Sequence, residues 1–248
     1  MKLLKDRGII LKTEKSGETS LKVRLFARDS GRILVTAKGA RKPESPFFGL
    51  LTPFSVVDFE IAYSPYNPFL RSVSRMEYFP KINQDTEKIV YASMLLEIVD
   101  KTGMPHEDIE TLRLLYKGLR GINTSISSPE KIHWWFIIHF LKNHGVWPNF
   151  ETCTECQKPL TIAILLPDSG GLFCQDCAGN SQSHGLILSS ELRRIIVFLE
   201  NNPLEKISAI KINKQGAVTL TCWLWKLLST HYESTTFLNT KKAVERLL

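Results

Sequence analysis

Long apolar runs are missing from this sequence of 248 residues. Its longest apolar clusters, such as Ile162 to Leu166, fall well short of the roughly 18 residues that span a bilayer. The start, MKLLKDRGIILKTEK, is charged throughout and lacks the apolar stretch of a secretory signal. Both absences predict a cytoplasmic protein. Signatures of catalysis are missing as well. There is no Gly-x-x-x-x-Gly-Lys-[Ser/Thr] loop to cradle a nucleotide phosphate, no His-Glu-x-x-His, and no paired carboxylates in a metal-like setting. The six histidines (106, 133, 139, 144, 184 and 231) are scattered, and His133 and His139 fall on different faces of any helix. Each is expected to be structural or exposed, and the chain is expected not to be an enzyme.

Cysteine is scarce too, and its distribution is uneven. Four of the five cysteines form two Cys-x-x-Cys pairs, Cys153/Cys156 and Cys174/Cys177, with 17 residues between them. In a reducing compartment such thiols are metal ligands rather than disulfides. A Cys-x-x-Cys turn lets two sulfurs converge on one ion, and two turns complete a tetrahedral shell. The spacing predicts one structural Zn2+ with no open position for water or substrate. A redox pair is the alternative, but nothing around either motif resembles a thioredoxin-type strand and helix. Pro167 to Gly171 reads as the turn between the halves, and Cys222 in TCWLW reads as a core residue.

What the sequence does have is positive charge at one end. Lys and Arg number 32 against 25 Asp and Glu, a net charge of +7. Residues 1–42 alone hold twelve basic residues and four acids, a net +8, so the remainder sums to about −1. A basic N-terminal module on a near-neutral body is the footprint of a polyanion-binding protein, although a plain solvated surface has the same composition.

The basic module reads as strands. Leu21, Val23 and Leu25 alternate with Lys22 and Arg24, Asp29-Ser30-Gly31 supplies a turn, and Arg32 to Lys38 returns. Gly8–Thr13, Phe54–Tyr63 and Leu70–Met76 add three more strands, with Ser64 to Pro68 as a turn. Five short strands predict a small barrel, an OB-fold or an SH3-like one. Lys22, Arg24, Lys38, Arg41 and Lys42 are the candidate phosphate contacts. Phe47, Phe48, Phe54 and Phe69 are available either to stack bases or to fill the barrel.

After Phe79-Pro80 the periodicity becomes helical. The pattern predicts helices over Thr86–Thr102, Asp108–Arg120, from Pro129 to near Gly145, Glu191–Asn201 and Thr219–Ser229. The expected fold class is α+β multidomain: an N-terminal five-stranded barrel (1–80), OB-fold or SH3-like, then an all-helical domain (81–248) with a four-cysteine zinc ribbon inserted at 150–180.

That order of parts, and several local motifs, resemble the RecO family of recombinational repair proteins. Gly145-Val-Trp-Pro148-Asn149-Phe before Cys153 resembles the family's lead-in to its first cysteine pair, and Gly170-Gly171-Leu-Phe-Cys174 its second. Lys38-Gly39-Ala40-Arg41 with Ser45, and Leu51-Thr-Pro53-Phe54, resemble its loop after the third strand and the next strand entry. Past Ser229 the resemblance is weakest, since HYESTTFLNTKKAVERLL lacks the arginine-bearing tail of some members. The resemblance covers essentially the whole chain and implies an OB-fold that binds single- and double-stranded DNA. It implies ATP-independent strand annealing, a nucleoid-associated location and work with RecR to load RecA onto single strands coated by single-strand-binding protein. It also implies an apolar groove, edged with basic residues, for that protein's acidic C-terminal tail. Arg113, Lys117 and Arg120, spaced four and three apart, are the candidate basic edge, unless they are an ordinary solvated helix face. On residues alone, a zinc-ribbon transcription or translation factor binding RNA, or an enzyme with an unrecognised site, stays open.

Overall fold

A strand that alternates apolar and basic residues can bury one face only by closing on other strands, and the first 77 residues do this. In the computed structural model, which describes residues 3–63, 68–166, 171–179, 185–236 and 238–247, β1 (Leu3–Ser16), β2 (Ser20–Ala27), β3 (Gly31–Ala37), β4 (Val56–Ala62) and β5 (Phe69–Glu77) form a closed barrel. Its order is β1-β2-β3-β5-β4. A register shift between Ile10 and Lys12 bends β1, so that its first half pairs with β4 and its second with β2. Closure comes from the parallel contact of Thr36 on β3 with Phe69 on β5. This five-stranded Greek-key barrel is an OB-fold. Val23, Leu25, Val35, Val57, Phe59 and Ile61 fill it, and Ala40, Phe47 and Leu51 of the long β3–β4 loop join the same cluster.

Two helices follow, α1 (Thr86–Thr102) and α2 (Ile109–Thr124). Asp85 caps α1 by accepting from the Lys88 amide. Both pack with the barrel: the chain divides by its contacts into Met1–Thr124 and Ser125–Leu248. Asp100 of α1 accepts from Arg24 of β2 at 2.6 Å, and its carbonyl accepts from Arg32 of β3 at 2.6 Å. Gly31 has φ +61°, and a Cβ there would lie 2.0 Å from the His106 carbonyl oxygen. Only glycine allows the hairpin to approach the α1–α2 loop this closely. The expected boundary at residue 80 marks where strands give way to helices, whereas the packing unit continues to Thr124.

In the second unit α3 (Pro129–Asn143) is buried along most of its length, from Ile132 through Ile138 and again at Phe140 and Leu141. Around it lie α5 (Ser190–Asn201) and α6 (Lys214–His231), with α7 (Lys241–Glu245) near the end. Trp134 of α3 donates to Thr221 of α6 at 2.8 Å, which places a buried polar handle inside an apolar seam. Between α3 and α5 sits a small sheet of order β7-β6-β8, made of β6 (Ala163–Leu165), β7 (Leu172–Phe173) and β8 (Leu186–Leu188), with the single turn α4 (Gln175–Ala178). Arg193 of α5 holds this insertion by donating to the carbonyls of Phe150 and Leu160. Of the expected turns Ser64–Pro68 and Pro167–Gly171, residues 64–67 and 167–170 lie outside the described residues, as does His184. No described helix is long and apolar enough to cross a membrane.

Candidate metal centre and nucleic-acid face

The two Cys-x-x-Cys pairs meet. Cys153 begins a tight turn in which its carbonyl accepts from Gln157 and its amide donates to Lys158, with Gln157 in the left-handed region at φ +59°. The second pair is delivered by β7, which ends at Phe173 just before Cys174, and by α4, whose N-cap is Cys174 itself. Thr154 joins the halves: its amide donates to the Leu172 carbonyl at 2.8 Å, and its hydroxyl accepts from the Leu172 amide at 3.0 Å. A Cβ on Gly171 would come within 2.8 Å of that hydroxyl, so the glycine lets the pairs close. Cys156 and Cys174 sulfurs are 3.8 Å apart, and all four sulfurs lie within 4.8 Å of one another.

Their protonation is strongly interdependent. Burial acts to raise the Cys153 thiol, but amide donors at Cys156, Cys174 and Glu155 outweigh it and bring the group down to about 6. Cys177 is pushed upward by its hydrogen bonds to Cys156 and Cys174. Four sulfurs this close cannot all ionise without a cation among them. The donor set is therefore one that can hold a metal ion. Cys222, expected in the core, is instead exposed, because α6 turns that position away from α3.

The five expected phosphate contacts are placed as follows. Lys22 is exposed on β2, opposite Glu14 on β1 and Thr36 on β3. Opposed residues share a face, so Lys22 projects with Thr36, two residues before Lys38. Lys38 is exposed where β3 ends, with its ammonium 5.1 Å from the centre of the Phe69 ring. Arg41 donates its amide to the Thr19 carbonyl at 2.8 Å and its guanidinium to the Glu18 carbonyl at 2.6 Å, which ties the β3–β4 loop to the β1–β2 turn. Lys42 is exposed one residue on. Lys22, Lys38, Arg41 and Lys42 thus gather at one end of the barrel, around the β1–β2 turn.

Arg24 is placed differently. Its guanidinium bridges Asp100 at 2.6 Å and Glu14 at 2.9 Å. Burial works against its charge, but Asp100 and then Glu14 more than offset that, and its pKa is raised. Arg24 joins β1, β2 and α1. Lys12, not among the residues expected from sequence, is exposed opposite Arg24 and pairs with Glu14 at 2.9 Å. The β1–β2 register is what would have pointed to it.

Arg113, Lys117 and Arg120 do share one exposed face of α2. Arg113 pairs with Glu110 at 2.7 Å. In the second unit an open cavity of about 330 Å³ lies against α6 and α7, lined by Trp225, Leu228 and Leu238 and edged by Lys226 and Lys241. The Lys241 ammonium sits 5.3 Å from the centre of the Trp225 ring.

Comparison with known proteins covers nearly all of the chain. Residues 1–77 match the family described as recombination protein O N terminal, and residues 83–242 match recombination protein O C terminal. The chain is 29% identical over 218 residues to the DNA repair protein RecO of Caldicellulosiruptor saccharolyticus, covering 86% of this chain and 87% of that protein. To the DNA repair protein RecO of an Exiguobacterium species it is 26% identical over 251 residues, covering 99% and 97%. To that of Clostridium perfringens it is 28% identical over 222 residues, covering 87% of each.

Proposed function

Since the chain belongs to the RecO family of DNA repair and recombination proteins, we propose that it binds single- and double-stranded DNA and anneals complementary strands without ATP. One observation carries this reading: Lys22, Lys38, Arg41 and Lys42 converge beside the β1–β2 turn of an OB-fold. Oligonucleotide-binding OB-folds use the face of strands 2 and 3 together with the loops joining strands 1–2 and 4–5. Annealing involves no bond-breaking step. Base pairing drives it, and the protein has only to neutralise phosphate repulsion while two strands are held close. Arg24, braced by Glu14 and Asp100, would set the outline of the face more than add free charge to it.

The four-cysteine site fits zinc. A Zn–S distance of about 2.3 Å implies a sulfur–sulfur edge of roughly 3.8 Å, and Cys156 and Cys174 are 3.8 Å apart. Cys153, Cys156, Cys174 and Cys177 would hold the ion and supply all four positions, so its role is to stabilise the insertion. In the cell, at the nucleoid, the proposed partners are RecR and the acidic C-terminal tail of single-strand-binding protein, with RecA loading as the outcome. Arg113, Lys117 and Arg120 are the proposed edge for that tail. Reversing the charge of all three would weaken tail-peptide binding, and an unchanged affinity would move the tail elsewhere, the Lys226/Lys241 cavity being the next place to look.

The DNA reading is tested on residues that do not brace the loop. Lys22→Ala/Lys42→Ala should weaken binding about equally across unrelated oligonucleotides. It should also flatten the dependence of log affinity on log salt by roughly two units, one for each lost phosphate contact. Annealing should slow in parallel while the melting temperature stays put. A double variant that binds and anneals as the parent does would overturn the assignment.

A further inference from the structure

The β3–β4 loop presents one aromatic ring to solvent in a fixed place. Of the four phenylalanines near the basic residues, Phe47 (8% exposed) and Phe54 (7%) are buried, and Phe69 lies beneath Lys38. Phe48 is 62% exposed. Single exposed apolar side chains are common on protein surfaces, so exposure alone decides nothing. What distinguishes Phe48 is how it is held.

The loop is a relay of turns with a step of three. The amide of Lys42 donates to the Gly39 carbonyl at 3.1 Å, Ser45 to Lys42 at 3.0 Å, and Phe48 to Ser45 at 3.0 Å. Pro43 and Pro46 occupy the second position of the last two turns, where their fixed φ already suits the conformation. On one side of Phe48 the ring of Phe47 is buried in the barrel cluster. On the other, Gly49 stands at φ +71°, and its carbonyl accepts from Arg75, which also reaches Thr52. The chain is pinned before and after the exposed ring. Ordering it on binding therefore costs little conformational entropy. Lys42 lies in the same relay six residues earlier, at most about 20 Å away for a fully extended chain and less through two turns. A single strand whose phosphates reach Lys42 would bring its next few bases to Phe48.

We propose that Phe48 is a stacking platform for an unpaired base, and that it makes the protein bind single-stranded DNA in preference to duplex. The inference rests on the DNA-binding reading above. Phosphate contacts do not distinguish the two forms of DNA by base, whereas a duplex keeps its bases stacked on one another and offers no free face.

The test uses the full chain and three ligands: an oligo-dT strand, an abasic strand of the same length and charge, and a duplex closed by hairpins at both ends. Phe48→Ala should bind the dT strand about tenfold more weakly, and should match the parent on the abasic strand and the closed duplex. Phe48→Trp should restore dT affinity, with indole emission quenched by the dT strand and not by the abasic one. Wild-type affinity of Phe48→Ala for the dT strand would overturn the proposal. So would an equal loss on all three ligands, which would mark Phe48 as support for the loop. A parent that binds the dT and abasic strands equally tightly would remove the stacking role alone. A parent with no salt-sensitive binding to any of them would remove the DNA-binding reading and this inference together.

Discussion

At the scale of single residues, burial makes His133 intolerant of charge. It is fully buried on α3, and its Nε2 accepts a hydrogen bond from the Trp225 indole at 3.2 Å. Protonation would put a charge in a fully buried site, and would turn an acceptor into a donor facing another donor. Burial accordingly lowers its pKa from 6.5 to about 3. The unfolded chain takes up a proton near pH 6.5 that the folded chain refuses until about pH 3. Stability from this group is therefore complete above pH 6.5 and is lost as pH falls toward 3, with a slope of up to about 1.4 kcal/mol per pH unit. Ordinary carboxylates remain ionised between pH 7.5 and 5. The Cys153 thiol, which also titrates there, is the same in the parent and in a His133→Gln variant, so the difference between the two in denaturant unfolding isolates His133. His133 should account for roughly 2 kcal/mol of the parent's loss across that interval. His133→Gln, which keeps an acceptor for Trp225, should be less stable at pH 7.5 but much flatter with pH. Equal slopes for the two proteins would show that His133 does not carry the dependence.

At the scale of elements, legibility in the sequence followed length and regularity. β2, β3 and β5 begin and end within two residues of their alternating patterns, and α1 coincides with its periodic stretch at Thr86–Thr102. β1 starts five residues earlier than Gly8, because Asp6 interrupts the alternation. That carboxylate is buried and accepts from the amides of Arg7, Asp29 and Ser30, holding the β2–β3 turn. The sheet of the insertion was not legible: strands of two or three residues are too short to show a period. The cysteine spacing was legible, because two short turns suffice to state the ligand set. The insertion's own sheet is so small that its stability should depend on the metal. Purified under reducing conditions, the protein should hold one zinc per chain. Cys174→Ser should lose the metal, lower the melting temperature by at least roughly 5 °C and open residues 150–180 to protease. Salt-sensitive DNA binding should persist in that variant. Zinc-free parent protein, or a Cys174→Ser variant that melts like the parent, would end the assignment.

At the scale of the whole molecule, sequence periodicity does not reveal that α1 and α2 pack in one unit with the barrel. Alternation on β2 marks Arg24 as facing outward, but only folding brings it to Asp100, 76 residues later in the chain. The same helix is capped at its end by Gly103, where a Cβ would press to 2.9 Å from the ring of Phe26, a residue wholly buried although it lies outside the barrel cluster. A fragment cut at residue 80 would strip the cover from Phe26 and leave the Arg24 and Arg32 guanidiniums without Asp100. Residues 1–124 keep all of these contacts together with the basic first 42 residues. Fragment 1–124 should therefore unfold in one cooperative step and bind DNA with most of the full chain's salt dependence. Fragment 1–80 should be aggregation-prone or expanded, whatever its charge. Fragment 125–248, with its cysteines intact, should take up zinc yet bind DNA weakly, since most of the excess positive charge lies in the other half. Circular dichroism melts and salt titrations of the three fragments check this. Cooperative folding of 1–80 with full DNA affinity would show that α1 and α2 are accessory to the barrel. Strong salt-sensitive binding by 125–248 would move the DNA face off the barrel altogether, and would take the proposed roles of Lys22, Lys38, Arg41 and Lys42 with it.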